Sequence, residues 1–372
     1  MKICIIYNIA QHYREGIWHE LSLDKINDFH IYCDYIENHK INQIPKESIN
    51  YYHSNGKLKI FPILKNFYYR HVLLYQFKLL PLIFLKKYDM YIFLGDYYSI
   101  STWISLIYLK LRNKYVCIWT HGAKGGEKIF KKFFLKIFYN LSNHILLYGN
   151  YAKNIIEKDF NIQKKTSVIF NSLNHQKQVI IRNSLENKLP LIKEKYIVFI
   201  GRVEKRKRVD LLIKSFQKII ENQKFKAMKL VIIGDGTMLS NLKADSNSNN
   251  IIFLGPIYDE MIISNYLYNA QLLVSPGHVG LNVIHCLTYG TPIITHNNFK
   301  NHAPEFEAIK VGETGDFFTE NSIEDLTETI KKWLVNLENR NLTRKKCYNT
   351  VEKYYNPKYQ HEIIKTIIKD LN

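Results

Sequence analysis

Residues 196–216 read YIVFIGRVEKRKRVDLLIKSF. Five β-prone residues, Tyr196 to Ile200, run into Gly201 and a cation cluster from Arg202 to Arg208. Apolar Val209, Leu211, Leu212, Ile213 and Phe216 then follow at helical spacing. A strand that ends in glycine and feeds a helix through a short loop is one βα unit of a parallel sheet. Open α/β sheets bind ligands at the carboxyl ends of their strands, where the N–H groups of the next helix attract anions. A diphosphate fits such a loop. A charge run is also the ordinary composition of a solvated turn, so this segment does not decide between the two.

The pattern repeats downstream. Lys229–Ile233 enters Gly234-Asp235-Gly236, then a helix with Leu239 and Leu242. Phe253-Leu254-Gly255-Pro256 closes the strand Ile251–Leu254. The strand Gln271–Ser275 leads into Pro276-Gly277-His278-Val279-Gly280-Leu281-Asn282, a helix Val283–Tyr289, and Gly290-Thr291 before the strand Pro292–Thr295. Glycines here let backbone approach a ligand. Upstream, strands are expected at Lys2–Tyr7, Phe29–Cys33, Met90–Leu94, Tyr115–Thr120, His144–Tyr148 and Ser167–Phe170. Two sets of strands imply two sheets. The polar stretch Ser172–Lys195 between them, with Pro190, reads as a linker. The apolar spacing of Ile363, Ile364, Ile367, Ile368 and Leu371 marks a terminal helix able to cap either domain.

A chain of 372 residues is long enough for two such domains. Its net charge of +19 is lopsided: residues 1–185 hold 26 Lys and Arg against 12 Asp and Glu. That excess attracts polyanions, whether nucleic acid, an anionic membrane or a phosphate-bearing substrate. The five cysteines, Cys4, Cys33, Cys117, Cys286 and Cys347, are odd in number and contain no C-x-x-C pair, which argues against disulfides and structural zinc. MKICIIYN is too short for a signal-peptide core, and neither His71–Leu85 nor Tyr91–Leu109 is a good membrane span, so a cytoplasmic protein is expected.

Taken in order, GRVEKRK, VIIGDG, FLGPI, LLVSPG-x-x-G-x-x-x-x-H-x-L-x-YGTPIIT and Glu307 ahead of GETGDFF resemble the donor domain of the retaining GT-B glycosyltransferases of family four. The likeness is close from Tyr196 to Phe318. It is looser in the first half, through FLGDYY, IWTHG, LLYGNYAK and VIFNSLN. The resemblance implies an α/β chain of GT-B type, two Rossmann-like domains with parallel sheets facing a central cleft. It places an acceptor-side domain with its linker at 1–185, a nucleotide-sugar donor domain at 186–355, and at 356–372 a helix able to pack back on the first domain.

The resemblance also implies roles. Arg202 and Lys207 would hold the diphosphate and stabilise the leaving nucleoside diphosphate. Pro256 and Ile257 would seat the base, and His121 would lie near the transferred sugar. Gly234, Gly277, His278, Val279, Gly280, Leu281, Asn282, His285 and Glu307 complete the expected donor site, and His12, Arg14, Gly16 and Asp96 are acceptor-side candidates. Two family glutamates eight positions apart are replaced here by Gly277 and His285. A histidine can bind ribose hydroxyls as the second glutamate does. A glycine cannot replace the first, and Glu305 and Glu307 read equally as acids that approach from the next loop or as exposed ones. The family's retaining chemistry lets the leaving diphosphate deprotonate the acceptor, so no catalytic base is named. No D-x-D pair is present, and neither a metal nor another cofactor is expected.

KGGEKIFKKFFLKIFY, residues 124–139, is basic, aromatic and amphipathic. It reads equally as a helix lying in the headgroup region of an anionic membrane or as a core-facing helix with a solvated lysine side. The first reading implies a lipid-linked glycan acceptor, envelope polysaccharide synthesis of O-antigen type, and a peripheral position on the inner face of the plasma membrane. Two other activities compete with transfer: a sugar-nucleotide epimerase of the same fold, and a noncatalytic scaffold. A nucleic-acid binder would exploit the charge, but no zinc-finger spacing or RNP-type motif is present, and nucleic acid is not an expected partner.

Overall fold

A computed structural model describes the chain except residues 37–41, 55, 163, 247, 337–338 and 372, and counts and absences refer to the described residues. The chain divides into two compact units, residues 1–174 with 356–372, and residues 175–355.

The first unit holds the strands β1 (Lys2–Ile9), β2 (Asp28–Asp34) and β3 (Leu58–Phe61), an antiparallel hairpin of β4 (Lys65–Tyr69) and β5 (Val72–Phe77), and then β6 (Met90–Leu94), β7 (Tyr115–Thr120), β8 (His144–Leu147) and β9 (Lys165–Val168). Its main sheet is parallel throughout, in the order β3-β2-β1-β6-β7-β8-β9. Helices on both faces bury such strands, so they read as unbroken apolar runs. Ile3 to Tyr7, Met90 to Phe93 and Val116 to Trp119 are all at most 2% exposed. The second unit holds β10 (Tyr196–Ile200), β11 (Lys229–Ile233), β12 (Ile251–Gly255), β13 (Leu272–Val274), β14 (Ile293–His296) and β15 (Gly315–Phe318). They form a parallel sheet in the order β12-β11-β10-β13-β14-β15.

Three expectations shift. The strand expected at Ser167–Phe170 lies at Lys165–Val168. The linker contains a helix, His175–Ser184, that buries Gln178 and Ile181 against the helices Glu260–Asn269 and Asn282–Thr288. The boundary therefore falls after Asn174 and not after residue 185. A narrow buried stripe in a polar sequence hid this helix. Sequence periodicity also missed β3, β15 and the hairpin. The hairpin turns at Arg70 and His71, both with positive φ of 47° and 66°, without the glycine or asparagine that announces such turns.

The terminal helix Pro357–Lys369 packs on the helix Glu15–Ser22 of the first unit and adds Ile364, Ile367 and Ile368 to the core around Trp18. Asn356 caps it by accepting from the Tyr359 N–H at 2.9 Å. His361 donates to the Asp24 carboxylate at 3.0 Å, and Gln360 donates to the Phe170 carbonyl at 2.7 Å. The helix Ile129–Asn140 has two apolar faces, one turned to the core and one turned outward. It buries Leu135, Phe138 and Tyr139 and turns Phe130, Phe133 and Phe134 outward. Among the described residues no helix is long and apolar enough to cross a membrane. All five cysteines are buried and unpaired.

Candidate functional site

In the second sheet the chain runs from β10 outward to β12, then returns to the other side of β10 as β13. The carboxyl ends of β10 and β13 thus flank a topological switch point, where open α/β sheets bind ligands. The loops there touch backbone to backbone. Gly234 has φ +147°, and a Cβ on it would stand 1.9 Å from the Gly201 carbonyl oxygen. A Cβ on Gly277 would stand 2.1 Å from the Arg206 carbonyl oxygen. Gly277 and His278 donate their N–H groups to the Lys207 and Arg206 carbonyls, each at 3.1 Å. No glutamate fits at 277 without moving main chain.

Lys207 crosses this junction. Its ammonium donates to the His278 carbonyl at 2.5 Å, tying the loop after β10 to the loop after β13. Burial, then the nearby Arg206 and Arg202 charges, pull its pKa down to about 8, with Glu204 opposing. Arg202 is exposed and lies 3.6 Å from Glu204, which also accepts from Arg206 at 3.2 Å. Lys207 and the 277–280 turn are brought together, and Arg202 contributes through its field.

The turn itself is held from below. His302 Nδ1 accepts from the Val279 N–H at 3.2 Å, so Nε2 carries the proton and donates to the His296 carbonyl at 2.9 Å. Burial lowers the His302 pKa to about 3 against the opposing hydrogen bond to the His296 carbonyl, with the His296 and His278 rings adding to the fall, so the ring is a neutral strut at pH 7. The Gly280 N–H is engaged by the Asn282 side chain at 3.0 Å. Among the described residues the N–H groups of Leu281 and Asn282 make no hydrogen bond. Glu305 is not an exposed acid. It is 2% exposed, and its Oε2 lies 3.8 Å from where a Cβ on Gly280 would stand, with the His278 ring at 3.9 Å. Glu307 is half-buried. The carboxylate beneath the turn is therefore Glu305, delivered by the short helix Pro304–Ala308.

His285 has acquired a carboxylate from another helix. Its Nε2 donates to Glu260 Oε1 at 2.9 Å, and the Tyr289 hydroxyl and Gln178 amide donate to the same oxygen at 2.6 and 3.0 Å. Burial alone would raise the Glu260 pKa, but His285 and these hydrogen bonds lower it to about 2. Glu260 stands three residues after Ile257, and the preceding Gly255 carbonyl accepts from the Gly234 N–H at 2.8 Å. Pro256 is exposed and Ile257 half-buried. Nothing in the sequence pairs Glu260 with His285, because the two lie on different helices.

In the first unit the switch point lies between β1 and β6. Arg14 is 5% exposed, and its guanidinium donates to Asn171 Oδ1 at 3.1 Å and to the Tyr148 hydroxyl. It sits over the Trp119 and Tyr148 rings, which makes it a buried strut and not an open ligand group. The His121 ring stacks obliquely on Tyr148 with centroids 4.6 Å apart, so Arg14 and His121 share one cluster. His121 is open to solvent on one side, yet the surrounding protein, then Arg14 and Lys124, hold its imidazole neutral. Gly16 is a packing residue: a Cβ on it would stand 2.9 Å from the Leu173 carbonyl oxygen. His12 Nδ1 lies 2.9 Å from the Asn42 carbonyl. Desolvation raises the Asp96 carboxyl to about 6. Tyr148 and Asn171 stand in the LLYGNYAK and VIFNSLN motifs, which assign neither of them a role.

The profile of the glycosyl transferases group 1 family matches residues 182–350. No curated protein sequence matches the chain. Solved structures match over its full length at low identity. A glycosyltransferase from Rickettsia africae is 15% identical with a TM-score of 0.70, over 100% of this chain and 98% of its own. A sucrose-phosphate synthase from Thermosynechococcus elongatus is 13% identical at 0.66, over 100% and 99%. Anabaena HepE in complex with UDP and glucose is 12% identical at 0.65, over 99% of both chains. The chain has the α/β fold of GT-B glycosyltransferases, and residues 182–350 match the model of the glycosyl transferases group 1 family.

Proposed function

We propose that this protein is a glycosyltransferase that moves a sugar from a nucleotide-sugar donor to a glycan acceptor. The observation that carries the reading is the Lys207 bridge to the His278 carbonyl at the β10–β13 switch point of a family-matched domain. In this reading Lys207 and Arg202 take the diphosphate, and their charge stabilises it as the glycosidic bond breaks. The unbonded N–H groups of Leu281 and Asn282 supply further donors to it. The Gly255–Ile257 turn seats the base. Glu260, held by His285, supplies the acid that the replaced family glutamate would give the ribose, and Glu305 supplies one beneath Gly280. Neutral His121 serves the sugar as a hydrogen-bonding group.

The finer reading is retention of configuration, with the leaving diphosphate accepting the acceptor proton and no metal required. The acceptor is a lipid-linked glycan, and the setting is synthesis of a bacterial surface polysaccharide at the cytoplasmic face of the membrane. Because Anabaena HepE was solved with UDP and glucose, UDP-glucose is the first donor to test.

A thermal-shift panel of UDP, GDP, ADP, TDP and CMP with their sugars tests the donor site. At a hundred times its Kd a ligand stabilises the native state by about 2.7 kcal/mol. One nucleotide should raise the midpoint, and Arg202→Ala and Lys207→Ala should each reduce that rise. A midpoint unmoved by every nucleotide would overturn the assignment. Turnover undiminished by EDTA would support the metal-free mechanism.

A further inference from the structure

Helices in the first unit carry apolar residues on the side turned away from the core. The helix Ile100–Leu111 buries Thr102, Ser105, Leu106 and Leu109, as an amphipathic helix should. Its opposite face is apolar as well: Ile100, Ile104, Ile107 and Leu111 follow one another at helical spacing and are 40–78% exposed. The helix Ile129–Asn140 repeats the arrangement with Phe130, Phe133, Phe134 and Ile137, which are 38–82% exposed. The two helices adjoin. Trp103 packs on Phe138 and Phe134 with ring centroids 5.3 and 6.5 Å apart, and Lys110 donates to the Asn140 carbonyl at 3.0 Å. A third helix, Leu79–Leu85, joins through Phe84 on Tyr108 at 4.6 Å and leaves Leu85 81% exposed. Single exposed apolar residues need no explanation, but a contiguous apolar face marks an interaction surface.

Charge selects the occupant. Residues 79–140, which span the three helices, contain ten Lys and Arg and three acids, Asp89, Asp96 and Glu127. Lys131 and Lys136 are exposed among the phenylalanines, and Lys110, Arg112 and Lys114 close the end of the neighbouring helix. We propose that this face, built from the helices Leu79–Leu85, Ile100–Leu111 and Ile129–Asn140, docks the protein on an anionic lipid bilayer. The aromatic and aliphatic side chains enter the headgroup boundary while the lysines meet lipid phosphates. A second copy of the chain would bring the same cations against themselves, which charge complementarity disfavours. The surface stands on its own observations. That it delivers the protein to a lipid-linked acceptor rests on the glycosyltransferase reading.

Sedimentation with vesicles of phosphatidylglycerol and phosphatidylcholine in equal parts, against phosphatidylcholine alone, tests the proposal. The wild type should pellet with the anionic vesicles, and added salt should weaken the association. The double variants Phe130→Ser/Phe133→Ser and Lys131→Glu/Lys136→Glu change exposed positions, so melting temperature should hold. Each should reduce the vesicle partition constant on the order of tenfold or more. Wild-type binding by both variants, or no anionic preference, overturns the proposal. Concentration-dependent dimers abolished by Phe130→Ser/Phe133→Ser, without vesicle binding, would assign the face to a second copy instead. Nucleotide thermal shifts of the same variants should match the wild type, so loss of the surface and loss of the donor site are read separately.

Discussion

At the β10–β13 end of the second sheet, loops meet main chain to main chain, with Gly277 against Arg206 and Gly234 against Gly201. At the β1–β6 end of the first sheet the matching cluster is built of side chains, with Arg14 buried among Trp119, Tyr148 and Asn171. The difference is chemical. Backbone that must approach backbone leaves a glycine at each contact, and glycine turns in a fixed order can be read along a chain. A buried guanidinium held by aromatic rings leaves no local spacing to read. The family match follows the same divide and stops at residues 182–350.

The contrast breaks most sharply at Gly277. Gly277→Ala should destabilise the protein by at least about 4 kcal/mol, because the new Cβ meets a carbonyl and not a movable side chain. Urea unfolding checks this, and a well-folded variant would show that the loops are not rigidly interlocked. Arg14→Met should follow with a loss of about 2 kcal/mol, since it strands the Tyr148 hydroxyl in the interior and leaves Asn171 Oδ1 only the Ser172 N–H. If Arg14→Met instead folds normally and only loses acceptor affinity, the first unit binds ligand through this cation after all.

Glu260 sharpens the comparison through pH. Its folded pKa of about 2 lies below the unfolded value, so its stabilisation is complete above about pH 4.5 and is lost as pH falls toward 2. After allowance for its 32% side-chain exposure, that loss is on the order of 1–2 kcal/mol. Glu260→Gln should flatten this acid limb in thermal melts from pH 5 to about pH 2.5. The smallest effect on stability is expected at Gly280. A Cβ there meets nothing closer than 3.5 Å, so Gly280→Ala should cost less than about 1 kcal/mol. It should still weaken nucleotide binding if ligand approaches the turn closely.

Much of the fold was legible. Met90–Leu94, Tyr115–Thr120, Tyr196–Ile200 and Lys229–Ile233 are strands at the bounds that their apolar runs indicate, because central parallel strands are buried on both faces. The edge strands β3 and β15, four residues each, carry too little pattern to stand out. The candidate site was legible where it depends on glycine turns and on the cation cluster after β10. Glu260 beside His285, Glu305 beneath Gly280 and Tyr148 between Arg14 and His121 come from separate elements, and only the folded chain brings them together. The outward stripe Ile100, Ile104, Ile107 and Leu111 illustrates another limit, since periodicity cannot tell which of two apolar faces a helix buries.

Isothermal titration of UDP, or of whichever nucleoside diphosphate the thermal panel selects, onto the wild type and Lys207→Met tests the central claim most directly. Binding should weaken as pH rises through 8, where Lys207 loses its proton, and Lys207→Met should bind at least tenfold more weakly with that pH dependence gone. Equal affinity in both proteins, with the same pH profile, would show that the junction between β10 and β13 does not grip a diphosphate.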